Sequence, residues 1–259
     1  MIDPFHLEAY NKTTVNYNRD IEIYPVLAAM LEKIMGECPY KSPTDMGVNM
    51  AGNCIINDEA VCDAARQEII RRYYKACCDL RKGNTDESVV YKSELLMKKA
   101  GTSIEDRSVV KAALEKAEKT AEPAAAIELH DGRIITGKTS ELLGSCSAML
   151  LNALKALAGI PDDKLLISPQ IIEPIQRLKT GTLGSRNPRL HTDAVLLALS
   201  ICAATDEAAD EALKQLKALK DCEAHCTVIL SNVDEAIFRK LGIRLTCEPQ
   251  YQESKLYHV

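Results

Sequence analysis

The chain has 259 residues, 46% of them hydrophobic and 27% charged, with a formal net charge of −5. This is the balance of a globular protein with material for a full hydrophobic core, and the length suggests two compact units. A mildly acidic chain with 4% aromatic residues and no Trp lacks the basic face and stacking aromatics of a nucleic-acid reader. It also has no long apolar run suited to crossing a membrane.

The opening "MIDPFHLEAYNKTTVNYNRD" reads as a buried strand running into a polar loop, an unusual start because free termini are commonly polar and poorly ordered. "DIEIYPVLAAMLEKIMGE" then shows apolar residues at helical spacing, with Pro25 acceptable only in a first turn. The Pro- and Gly-marked "CPYKSPTDMGVNMAGNCIIND" is a long loop of a length that usually carries function. A long helix follows from Asp58, whose acidic start suits the positive helix end. Two more helices are expected near 86–100 and 105–119, their balanced charges typical of a solvated exterior.

The pattern changes at Pro123. "AAAIELHDGRIITGKTS" reads as a β-hairpin turning at His130, Asp131 and Gly132. Next comes a helix closed by Gly159 as its C-cap, then a short apolar run, "KLLIS", that looks like a buried strand. Helices are expected after Pro169 and at about 191–204 and 206–220. A strand–helix–strand unit ends the chain. Alternation of this kind argues for helices covering a sheet. The expected division is 1–57, 58–122 and 123–259, a helical N-terminal block followed by an α/β domain in a mixed α+β chain.

Several motifs invite chemistry. "CEAHC" at 222–226 offers thiols and an imidazole, but a structural zinc site needs four ligands and no second cluster follows. The hairpin–helix–strand order resembles the cytidine-deaminase layout. That chemistry requires a His/Cys-x-Glu on the helix and a Pro-Cys-x-x-Cys beyond it, and neither is present, so no zinc is expected. "GRIITGKT" formally matches Gly-x-x-x-x-Gly-Lys-Thr, yet its middle is β-branched and reads as a returning strand. There Thr139 or Ser140 would cap the next helix. The ten cysteines are scattered and several sit where a small apolar residue would serve. With no basic-then-apolar leader legible, reduced thiols and a cytoplasmic location are expected.

The strongest polar concentrations are "NYNRD", "YKSPTDMGVNMAGN" and "GTLGSRNPRLHTD". Arg186, Arg189 and His191 crowd into a Gly/Pro loop before a helix, where guanidinium forks and a helix N-terminus both suit phosphate or carboxylate. Lys41, Ser42, Thr44, Asn49 and Arg19 extend the anion-binding set. His191, Asp45 and Asp20 are the candidates for proton transfer, with Asp193 a neighbour that could pair with His191. Against this stand turns that merely satisfy their own backbone.

These stretches, together with "DGRIITGKTSELLGSCSAMLLNALKALAGI" and "TVILSNVDEAIFRKLGIRLTCEPQY", resemble the bacterial "domain of unknown function 1846" family. The resemblance implies a three-layer α/β final domain and much longer relatives, of which this chain matches only the C-terminal half or so. It further implies that Met1 is internal to that longer chain, and that the missing half carries a P-loop-like Gly-Ser-Gly-Lys segment. A nucleotide is thereby the cofactor implied for the full-length relatives, and none is assigned to this chain. The expected function is the C-terminal portion of a cytosolic nucleotide-dependent enzyme, for phosphoryl transfer or ligation, acting on a small anionic substrate. The alternative is a non-catalytic interaction or assembly module. Expected partners are the small anion and either a second copy of the chain or the missing half; nucleic acid and membrane are not expected.

Overall fold

The computed structural model of the chain describes residues 17–41, 43, 45–46 and 58–252. The strand expected in the first sixteen residues and residues 47–57 of the expected loop lie outside these. Contacts divide the chain between Arg107 and Ser108 into two units.

The first unit is helical. Helix α1 (Tyr17–Met35) buries Tyr24 and Ala28 against Met46, with Ile23, Leu27, Cys38 and Tyr40 alongside. Burial, aided by the nearby Cys38 and Asp45, pushes the Tyr24 phenol up to about 12, and its hydroxyl donates to the Tyr40 carbonyl at 3.2 Å. Pro25 stands inside α1 rather than in its first turn, because the helix begins eight residues earlier, within the segment read as loop. The missing proline N–H removes one helical bond there. Helices α2 (Asp58–Arg81) and α3 (Glu87–Lys99) pack through Ile69 and Leu96. Asp86 caps α3 by accepting the Ser88 N–H, one of the orphan donors every helix start must satisfy.

The second unit is a three-layer α/β structure. Its sheet runs β2–β1–β3–β4, formed by β1 (Ala124–Glu128), β2 (Ile134–Lys138), β3 (Glu223–Cys226) and β4 (Arg244–Cys247). Strand β1 pairs antiparallel with both β2 and β3, and β3 pairs parallel with β4. The first four residues of β1, Ala-Ala-Ala-Ile, are 0% exposed. Such a run without polar alternation belongs to a strand covered on both faces. Ala126 meets Val109 and Ala113 of α4 (Ser108–Thr120) on one face. Ala125 and Ile127 join the main core with Cys146, Met149 and Leu150 of α5 (Ser145–Ala158) on the other. Helix α4, expected with the helical segment, is thus a layer of the sheet domain.

Gly137 explains the close seating of α5 on β2. A Cβ there would lie 2.1 Å from the Met149 amide nitrogen, so only glycine permits the approach. The apparent phosphate-loop pattern is therefore a strand, and its second glycine serves packing. Nor does Ser140 cap α5: its Oγ accepts the Leu142 and Leu143 N–H groups in a local turn, and Gly144 is the N-cap. Gly159, at φ +66°, closes the helix in the left-handed conformation as expected.

The "KLLIS" segment is not a strand. Residues 164–168 form bends and irregular backbone; Leu166 and Ile167 are buried while Leu165 is exposed, so the run fills the core without joining a ladder. Helix α6 (Pro169–Arg177) continues into a π-type turn, Leu178–Thr182. Helices α7 (Thr192–Cys202) and α8 (Glu207–Lys214) follow, the latter running into a 3₁₀ turn at Gln215–Leu219. Helix α9 (Asn232–Leu241) crosses between β3 and β4. No helix among the described residues is long and apolar enough to cross a membrane, and the nine described cysteines are free thiols.

Candidate functional site

In the second unit, three helices begin around one cavity of about 150 Å³. Its lining includes Gly144, Ser145 and Cys146 at the start of α5, His191 at the N-cap of α7, and Ser231 and Asp234 at the start of α9. Residues 228–231 after β3 and Tyr251 and Gln252 after β4 also line it. The cavity thus lies beyond the carboxyl ends of the two parallel strands, the usual place for ligands in α/β sheets. Two loops are tied together beneath it. Leu143 and Leu190 form a parallel bridge, the Leu190 N–H donates to the Leu142 carbonyl, and the Ser147 hydroxyl donates to the Leu190 carbonyl at 3.1 Å. Leu190 is 1% exposed, so His191 emerges from a fixed point.

The centre of the site is His191 with Asp234. Nδ1 of the ring lies 2.8 Å from Oδ2 of the carboxylate. The same carboxylate accepts the Thr192 N–H at 2.8 Å, the Thr192 hydroxyl at 2.5 Å and the Ser231 hydroxyl at 2.9 Å. Burial alone would raise the Asp234 carboxyl, but the hydrogen bond and charge of His191 and the bonds from Thr192 outweigh it. The group is held below its ordinary value. A buried carboxylate gripping Nδ1 fixes the ring's orientation.

Sequence reasoning placed His191 correctly in a structured loop and missed its partner. Asp193, the neighbour considered, turns its own Oδ1 to the Ala194 N–H at 2.7 Å. Asp234 could have been glimpsed in "SNVDE", where a serine three residues before an acid reads as a helix start. Ser231 does cap α9 by accepting the Asp234 N–H; its connection to position 191 is tertiary.

Cys146 sits in the cavity wall, 3% exposed. Its hydrogen bond to Cys226 and its burial push the thiol well above its ordinary range. A thiol held protonated is a poor nucleophile. Cys222 and Cys226 face the α5 side in the main core, whereas His225, 0% exposed, contacts Thr246 and Glu248. Among the described residues, no three His, Cys, Asp or Glu side chains converge as metal ligands.

The remaining sequence-predicted residues divide by unit. Arg189 belongs to the loop beside the site, where its Nε donates to the Ser140 carbonyl at 2.7 Å and its backbone carbonyl accepts from Lys179. Arg186 is exposed. Lys41 and Asp45 lie in the first unit, where the Lys41 N–H donates to Asp45 Oδ2 at 2.7 Å and Asp45 is 6% exposed. Arg19 and Asp20 fall in α1 with side chains outside the described set, and Ser42, Thr44 and Asn49 lie outside the described residues.

A second cavity, of about 260 Å³, is also lined by His191. Its polar members are His191, Lys179 and Asp193; the rest of the wall is aliphatic. Burial lowers the Lys179 amine against the opposing pull of Asp193 and Asp234. Lys179 was not singled out from sequence, since nothing local distinguishes it from other helix-end lysines.

A sheet covered by helices on both faces, with a polar site beyond the carboxyl ends of its parallel strands, defines a mixed α/β protein with a small-molecule-sized cavity. Residues 105–257 match "Domain of unknown function DUF1846, C-terminal" and residues 1–101 match "Domain of unknown function DUF1846, N-terminal". The chain belongs to the DUF1846 family. It is 59% identical over 257 residues to UPF0371 protein cu0538 of Corynebacterium urealyticum, and 56% identical over the same length to UPF0371 protein str1377 of Streptococcus thermophilus. Each alignment covers 99% of this chain and 52% of the relative, so the chain spans about half the length of the curated relatives it matches. The match to the C-terminal half alone, expected from the resemblance, is broadened by the N-terminal family model.

Proposed function

We propose that the second unit binds a small anionic molecule in the cavity between the starts of α5, α7 and α9, and that His191 exchanges a proton with it. The observation carrying this is the meeting of three helix N-termini with the His191–Asp234 pair in one cavity. Helix starts present N–H groups and partial positive charge to an anion. Asp234 offsets part of that field and keeps the His191 ring oriented, as a general acid–base requires. Ground-state binding falls to the amides of Ser145 and Cys146, since the Gly144 N–H donates to the Leu190 carbonyl, and Arg189 stiffens the loop that carries His191. In the longer relatives the same site would serve the anionic substrate of a nucleotide-dependent phosphoryl transfer or ligation in the cytoplasm.

A thermal-shift screen of this chain against inorganic phosphate and nucleoside phosphates tests the reading. Binding to the native state raises the melting temperature by mass action, and His191→Ala should reduce the rise. Uniformly flat curves would sink it.

A second reading, an assembly module, draws on α1, where Val26, Met30 and Ile34 are 61%, 52% and 76% exposed at four-residue spacing. Such an apolar row suits a second copy of the chain or another partner. Light scattering that finds a monomer at high concentration counts against self-association.

A further inference from the structure

His191 lines both cavities, so what occupies either one lies beside the same residue. The two chambers differ in chemistry. The first is bounded by helix starts, hydroxyls and the Asp234 carboxylate. The second is walled by Ile175, Leu178, Leu183 and Val233. Three of these are open to water: Leu183 is 70% exposed, Leu178 52% and Val233 45%. Scattered exposed aliphatic side chains need no explanation, but three around one concavity beside a charged centre form an apolar receptacle. Leu178 stands at the start of the π-type turn and Leu183 follows its end. Turns of that kind recur at functional sites because they re-aim side chains that a regular helix would stagger.

We propose that the second cavity holds the apolar portion of the same molecule whose anionic group occupies the first. The ligand class is then an anion with a compact alkyl or aryl substituent, such as a phosphate monoester, with His191 at the junction between head and substituent. This rests on the anion-binding reading above. The polar groups of the second chamber fit the assignment. Lys179 spends a hydrogen bond on the Arg189 carbonyl and Asp193 one on the Ala194 N–H, leaving the aliphatic wall to meet the substituent.

The test is calorimetric titration of the whole chain with inorganic phosphate, methyl phosphate, butyl phosphate and phenyl phosphate. Affinity should rise about fiftyfold from methyl to butyl phosphate as the three added methylenes leave water. In the double variant Leu178→Ser/Leu183→Ser, both positions being exposed, that gain should vanish while affinity for inorganic phosphate is unchanged. An unaltered melting temperature checks that the variant folds. If phosphate binds but the esters gain nothing, the second-cavity assignment is overturned and the anion site stands. If the gain persists in the double variant, the substituent lies elsewhere and the assignment is likewise overturned. If neither phosphate nor any ester binds, both readings fall.

Discussion

Replacing Asp234 by Asn removes a charge that four donors converge upon: His191 Nδ1, the Thr192 N–H, the Thr192 hydroxyl and the Ser231 hydroxyl. The amide keeps one acceptor oxygen and turns an NH₂ group toward donors that previously met a carboxylate. Hydrogen bonds to charged groups contribute ~1.5–3 kcal/mol each, and stranding a buried donor costs a comparable amount. With Asp234 only 6% exposed, water cannot substitute readily, and the net cost should be about 3 kcal/mol. For a unit of this size that lowers the melting temperature by about 6–12 °C. The pH dependence has a definite sign. The folded-state carboxyl is held below its ordinary value of 3.8, so its contribution is complete at neutral pH and is lost as pH falls through that lowered value. Thermal unfolding followed by circular dichroism at pH 7 and in a descending acid series measures both effects. The gap between native and Asp234→Asn proteins should be widest at pH 7 and narrow on acidification. A variant melting within 2 °C of the native chain at pH 7, or a gap indifferent to acid, would refute the reasoning.

Two further substitutions test the frame around the site. Gly137→Ala places a methyl group 2.1 Å from the Met149 backbone nitrogen; overpacking against backbone should destabilise by about 2 kcal/mol or more, read as a lowered urea midpoint at unchanged slope. Ser231→Ala deletes both the cap of α9 and one bond to Asp234. It should cost about 1–2 kcal/mol, with a smaller effect than Asp234→Asn in the same melt.

Local chemistry made the hairpin, the long α2 helix and the Gly159 cap legible, because each is decided by neighbours within a few residues. The all-apolar start of β1 was read only as a hairpin strand; its burial on both faces appears with the fold. The start of α1 was obscured by its proline, whose usual position in a first turn pulled the expected start of the helix toward it. "KLLIS" misled because a short apolar run reads alike whether it joins a sheet or plugs a core. The Gly-Lys-Thr pattern deceived only as a string; its first glycine ends a hairpin turn and its second yields to Met149. At the site, His191 and Arg189 stood out as polar residues in a marked loop. Asp234 and Lys179 did not, since their roles arise from folding that brings positions 179, 191 and 234 together. Lys41 and Asp45 were noticed for density of polar groups, and within their own unit they close a local turn.

The most direct measurement is a nitrogen–proton correlation spectrum of the isotopically labelled chain, titrated with phosphate and then with phosphate esters. The account predicts that the amides of Gly144, Ser145, Cys146, His191 and Thr192 shift together and saturably, with the His191 ring resonances moving in step. Shifts confined to surface lysines, or none near these residues at millimolar ligand, would contradict it.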